Sequence, residues 1–246
     1  MRREYTSWWS ERLHMDMPIV RYGHYGPALL LFPTWASDLW EAESRGLIKS
    51  IAPFIDAGRI TAFCINSISP HAWCNDLVPM HEKARRQAAY DHYVEEEVVP
   101  FIRAQLRDPD ARIAVGGASF GAFYGAAVLF RRPELFSALI GMSGFYRLDQ
   151  VLHGYHDENV YFHSPGWFVP QMPEGPQLEL LRHGTQIHLL TGQGAWEAPE
   201  ETLVFSRILR EKNIPHRLDL WGHDMAHDWP TWHRMLQVVV GERMGI

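Results

Sequence analysis

Gly117-Ala118-Ser119-Phe120-Gly121 is the segment of this chain best equipped for chemistry. It follows the run Arg112–Val115 and leads into the small, apolar run Ala122–Val128. That is a strand, a sharp turn and a helix, with a serine at the turn. Side chains two residues either side of such a serine would collide with the neighbouring strand and helix, and Gly117 and Gly121 remove them. The helix N-terminus directs partial positive charge at the hydroxyl, which favours an alkoxide or a bound oxyanion. Ser119 is therefore a candidate nucleophile; the plain alternative is a helix-capping serine in a tight turn.

A serine hydroxyl needs a base, and the base needs an orienting acid, in the chain order serine, acid, histidine. The segment Trp221–Pro230 offers His223 and His227. His227 is preferred, because it lies just before Pro230, which opens the final helix; Asp228 can serve that helix's N-terminus. The acid is expected after the run Gln186–Leu190. Glu197 lies on that loop, whereas Glu200 and Glu201 follow Pro199 in a first helical turn, where acidic residues are common for dipole reasons alone. Asp224 and Asp219 are the fallbacks. An oxyanion would be held by the amide of Phe120 and by that of Trp35 or Thr34, in the loop Phe32–Ser37. Thr34, Trp40, Trp73, Trp167 and Phe168, with Trp35, are candidates for a substrate pocket, and Glu41, Glu43 and Asp76 for polar groups at the same edge. Trp229 and Trp232 are read as packing for the last helix.

Six apolar runs would position these groups: Ala28–Phe32, Ile60–Ile65, Ala111–Val115, Leu135–Met142, Gln186–Leu190 and His216–Leu220. Residues 12–22 read as an edge strand or hairpin arm, with Pro18 arguing for the edge. Helical stretches fall at 83–106 (Pro100 kinking or dividing it), 119–131, 199–212 and 230–240. Strands alternating with helices give an α/β fold with a mostly parallel sheet covered on both faces. The chain reads as one domain over 1–246, and residues 145–184, too long for an ordinary connection, as a lid-like insertion.

Composition bounds the rest. The chain has 246 residues, 46% of them apolar, and a formal charge of −6. It can bury a core without disulfides or metals. No basic face is evident, which argues against nucleic acid. Cys64 and Cys74 fit neither a disulfide framework nor a zinc spacing. The absence of a secretory pattern and of an apolar run of membrane-spanning length makes a cytoplasmic protein the default. The sequence leaves a homo-oligomer open.

Gly-Ala-Ser-Phe-Gly, Glu197 after a Gly-x-Gly loop, and His227-Asp228-Trp229-Pro230-x-Trp232 together resemble the Putative esterase family of α/β-hydrolases, the branch with esterase D, feruloyl esterases and mycolyltransferases. The likeness runs from the strand before Pro33 to the last helix. It implies the α/β-hydrolase fold and a serine hydrolase acting on small carboxylic esters without a cofactor, with Ser119, Glu197 and His227 at the triad positions. Two departures stand out: Met225-Ala226 precedes the histidine where members often have Gly-Gly, and Pro-Thr-Trp-Ala forms the oxyanion loop where many hydrolases have a glycine-rich turn. Three other readings remain at this level. One is acyl transfer by the same groups, and another is a hydrolase-like binding protein with an idle triad. The third, disfavoured by Gly222 and Pro230, is a metal site in which His223 and His227 share a helical face.

Overall fold

The computed structural model describes residues 1–244. Eight strands form one sheet in the order β1-β2-β4-β3-β5-β6-β7-β8. They are β1 (Arg3–Ser10), β2 (Met15–Tyr22), β3 (Ala28–Phe32), β4 (Thr61–Ile65), β5 (Ile113–Ala118), β6 (Phe136–Met142), β7 (Gln186–Thr191) and β8 (Arg217–Leu220). Strands β3 to β8 run parallel, and β1 and β2 form an antiparallel hairpin joined to β4. The fold is that of the α/β-hydrolases.

The edge is not where Pro18 suggested. β2 lies inside the sheet, and β1 is the border strand. Pro18 sits opposite Ser7 of β1 and one residue outside the ladder with β4, which begins at Ile19. A proline can sit in an inner strand where one ladder has already ended.

The central strands are buried on both sides, so they read as continuous apolar runs rather than alternating ones. Leu29 and Leu31 of β3 face one cluster and Leu30 and Phe32 the other. Three short helices, α1 (Glu41–Ser44), α2 (Leu47–Ser50) and α3 (Ala52–Asp56), lie on the first side. There Ile48, Ile51 and Ile55 meet Met235 and Leu236 of α12 (Trp229–Val238). The second side carries α4 (Met80–Tyr93), α5 (Val99–Leu106), α6 (Phe120–Arg131) and α11 (Pro199–Glu211). A wide π turn at Val94–Val98 joins α4 to α5 one turn ahead of Pro100, so the long helical stretch continues through the proline. Nearly all of α6 is buried, which suits its small and apolar sequence.

Between β6 and β7, residues 145–184 form four short helices, α7 (Asp149–Leu152), α8 (Glu158–Phe162), α9 (Pro165–Phe168) and α10 (Pro176–His183). They pack on the α4 and α6 side. Buried polar groups tie them there. The His163 ring meets both the Asp91 carboxylate of α4 and the Arg131 guanidinium of α6, and Gln87 donates to Asp91 at 2.9 Å.

Candidate active site

Parallel strands bring their following loops to one edge, and the chemistry-bearing residues follow β3, β5, β7 and β8. Ser119 sits between β5 and α6 at φ 55°, ψ −117°, outside the regions open to a side-chain-bearing residue. Such strain costs about 1–3 kcal/mol and persists only where surroundings over-determine it. Here the Ser119 amide donates to the Met142 carbonyl at 2.9 Å. A Cβ on Gly117 would lie 2.6 Å from the Gly121 carbonyl carbon, and one on Gly121 would lie 2.6 Å from the Phe32 carbonyl oxygen. Only glycine fits at either place, and the second closeness presses the helix start against the end of β3.

The loops carrying Glu197 and His227 are bonded to each other. The Gly194 amide donates to the Met225 carbonyl at 2.8 Å, and the His227 amide to the Ala195 carbonyl at 2.9 Å. His227 Nδ1 lies 3.4 Å from Glu197 Oε2, with the carboxylate almost wholly buried and the imidazole about a quarter exposed. Two further donors point at that carboxylate, Ser143 Oγ at 2.6 Å and the Gly192 amide at 3.2 Å, and Thr191 Oγ1 lies 3.4 Å from it and 3.2 Å from the Gly192 carbonyl. Burial works against ionisation of Glu197. The bonds from His227 and Ser143, the positive charge His227 can carry and the Gly192 amide outweigh it, leaving the carboxyl below the ordinary range. No hydrogen bond joins Ser119 Oγ to His227 among the described residues. Such bonds often tighten only once substrate is present. Both residues nonetheless belong to one bonded cluster, since Ser119 is held by Met142, the neighbour of Ser143.

Phe120 opens α6, and its amide has no protein acceptor among the described residues; the same is true of Trp35. The two rings pack edge to face, 4.5 Å between centroids. The Thr34 amide is occupied, donating to Glu41 Oε2 at 2.7 Å while Thr34 Oγ1 donates to Oε1 at 2.6 Å. From the other side, Ser67 Oγ donates to the Trp35 carbonyl at 2.8 Å. Beneath this loop lies a cavity of about 10 Å³, lined among others by Pro33, Thr34, Glu41 and Trp229, no larger than a water.

The remaining candidates spread out. Trp40 stacks on Tyr5 of the border strand, at 5.9 Å between ring centroids, under the Arg3 guanidinium. Trp73 is buried, with its indole N–H donating to Gln87 at 3.0 Å. Trp167 packs on His156, and Phe168 lines a cleft beside Arg131 and Arg132, at the far end of α6 from Ser119. Glu43 accepts from the Tyr22 hydroxyl and pairs with Arg3. Glu200 and Glu201 lie in the first turn of α11. Asp219 pairs with Arg217 and Arg243, and Asp224 is exposed. Residues 221–228 form turns rather than a helix, so His223 and His227 do not share a helical face. His223 Nδ1 meets the Gln193 carbonyl instead, and no cluster of three metal-ligating side chains occurs among the described residues. No helix among the described residues is long and apolar enough to cross a membrane. Sequence reasoning did not find Ser143, and it named Thr34 and Glu41 without their bond to each other. Nothing local marks Ser143, since its partners lie 54 and 89 residues away.

Residues 34–242 match the family model described as Putative esterase. No curated protein matches the chain by sequence. Among solved structures, the chain is similar to a ferulic acid esterase, at 17% identity and TM-score 0.73, over 96% of this chain and 95% of that one. It is also similar to an S-formylglutathione hydrolase from Agrobacterium tumefaciens, at 14% identity and TM-score 0.71, over 99% and 95% of the two chains. MPT51 from Mycobacterium tuberculosis matches at 14% identity and TM-score 0.71, over 98% and 97%.

Proposed function

The chain belongs to the Putative esterase family and is a serine hydrolase of the carboxylesterase type, and from that premise we propose that Ser119, Glu197 and His227 perform the cleavage. His227 takes the proton from Ser119 Oγ as it attacks the ester carbonyl. The amides of Phe120 and Trp35 hold the developing oxyanion. His227 then protonates the departing alcohol. Water attacks the acyl-enzyme, with His227 again as base, and Ser119 is released with the free acid. Glu197 keeps the proton on His227 Nδ1, so that Nε2 faces the serine, and stabilises the charged imidazole. The scheme uses no cofactor, and its substrate is a small ester.

The observation that carries this reading is the left-handed backbone at Ser119, on the same strand edge as the pair formed by the buried Glu197 carboxylate and the partly exposed His227 imidazole. A fluorophosphonate probe should add one phosphonyl group, located at Ser119 by peptide mapping. A panel of short, long and aromatic acyl p-nitrophenyl esters would give the preferred acyl group. Ser119→Ala should lose both labelling and turnover while keeping the wild-type circular dichroism spectrum. A fully active Ser119→Ala protein ends the proposal.

A further inference from the structure

Ser143 follows β6 directly, with φ at 47°, a left-handed conformation that serine seldom adopts. It is buried, and its amide donates to the Leu190 carbonyl at 2.7 Å, which locks the strained backbone to the neighbouring strand. Its hydroxyl has two partners. It lies 2.6 Å from Glu197 Oε1 and 3.0 Å from the indole Nε1 of Trp232. An indole N–H can only donate, so it occupies the acceptor side of the hydroxyl. The hydroxyl's one proton is thereby turned toward the carboxylate. Trp232 is itself buried in α12 and sets its ring edge to face against His227, with centroids 5.0 Å apart and planes at 86°. One side chain thus touches the imidazole directly and reaches the carboxylate through Ser143.

We propose that Trp232 and Ser143 form a positioning clamp for the acid–base pair, fixing the rotamer of Glu197 and the ring plane of His227 together. The clamp rests on the assignment of those two residues above and adds two members that touch neither ester nor oxyanion. With Ser143 and Gly192 donating to one carboxylate oxygen and His227 facing the other, both oxygens are committed, and rotation of Glu197 would break several bonds at once. The imidazole then has a single strong acceptor and a fixed face. The clamp acts on how often the pair is correctly aligned, so its effect belongs in kcat rather than in ester binding.

The test is a double-mutant cycle on the whole protein, read with a p-nitrophenyl ester. Ser143→Ala removes the proton that Glu197 receives, a bond to a charged group, and should lower kcat about tenfold to a hundredfold with KM within about twofold. Trp232→Phe keeps an aromatic ring against His227 and removes only the N–H; it should lower kcat about threefold to tenfold. In a Glu197→Ala background neither change should cost more than about twofold, because nothing remains to be positioned. The downfield proton resonance of His227 Nδ1–H should also move or broaden in Trp232→Phe. If Glu197→Ala retains wild-type kcat, the acid assignment falls and the clamp with it. If Glu197→Ala is impaired but Ser143→Ala costs the same factor with and without Glu197, the clamp alone is overturned. So too if Trp232→Phe changes neither kcat nor the Nδ1–H resonance.

Discussion

Glu41 holds Thr34 by two bonds, taking the amide N–H on one carboxylate oxygen and the side-chain hydroxyl on the other. The consequence falls on the next residue. With the Thr34 amide occupied, the Trp35 amide, which has no protein acceptor among the described residues, is the donor that the proposed scheme assigns to the oxyanion, and its position depends on a carboxylate seven residues away.

Glu41→Gln should therefore act on turnover. A glutamine can accept from one of the two Thr34 donors, but its own N–H₂ group faces the other. The loop then loses one anchor while Ser67 still holds the Trp35 carbonyl. Removing an oxyanion donor outright costs a hundredfold or more, so displacing one should lower kcat by about tenfold. KM and the circular dichroism spectrum should stay near wild type. Steady-state kinetics decide the matter: a kcat within twofold of wild type would show that the loop does not depend on Glu41.

The loops that carry Glu197 and His227 make a second prediction. A Cβ at Gly192 would sit 2.1 Å from the Met225 carbonyl oxygen, and one at Gly194 would sit 2.6 Å from it. Backbone stands in the way in both cases, so no side chain can swing aside. Gly192→Ala must push the two loops apart and take His227 away from Glu197. A loss of about 1–3 kcal/mol in stability is expected from the overpacking, with a fall in kcat much larger than the change in folded fraction. Urea unfolding and kinetics on the same preparation would check it. Wild-type turnover in Gly192→Ala would mean that the loops have slack.

What was legible from the sequence is local or periodic. The Ser119 turn shows because glycine, serine and glycine lie within five residues, and the central strands show because both their faces are buried. β1 was not legible. Tyr5, Trp8 and Trp9 belong to a border strand whose residues are mostly half-buried or exposed, so no apolar period marks it. Placing the edge at Pro18 followed from that omission. The helices of 145–184 span only four to eight residues, too few for a 3.6-residue period to stand out. Trp73 was legible as an aromatic residue near the right edge, but only its bond to Gln87 shows that it is internal packing. Ser143 carried no signal because its meaning lies in two partners distant in sequence.

The His163–Asp91 contact is a buried polar tie between the 145–184 helices and the body of the protein. Both side chains are almost wholly buried, with the Arg131 guanidinium alongside. His163→Ala would leave the Asp91 carboxyl in the interior with the Gln87 amide as its nearest remaining donor. Leaving a buried polar group short of a hydrogen-bond partner costs about 1–3 kcal/mol. Guanidinium unfolding should show a loss of that order, and limited proteolysis should cut first within 145–184. A loss below about 1 kcal/mol would show that the segment is held by its apolar contacts alone.

Acid stability should depend on His188, in the interior of β7. Both of its ring nitrogens are buried without a hydrogen-bond partner among the described residues. Burial disfavours the charged ring first of all. The Arg243 and Arg217 guanidiniums add to this, Asp219 opposes it, and the pKa falls from 6.5 to about 4. Well above pH 6.5 the imidazole is neutral in the folded and unfolded chains alike, and contributes nothing to the pH dependence. As the pH falls below that value, the unfolded chain binds the proton while the folded one does not, so stability is lost steadily until the folded pKa is reached. Between pH 7 and pH 5 this amounts to about 2 kcal/mol. His188→Leu removes the titrating ring from a buried site, and should flatten the dependence of the melting temperature on pH across that window. The comparison is between slopes, so any constant gain or loss from the new side chain drops out. Parallel curves for wild type and His188→Leu would mean that the ring is protonated equally easily in both states, and that acid sensitivity arises elsewhere.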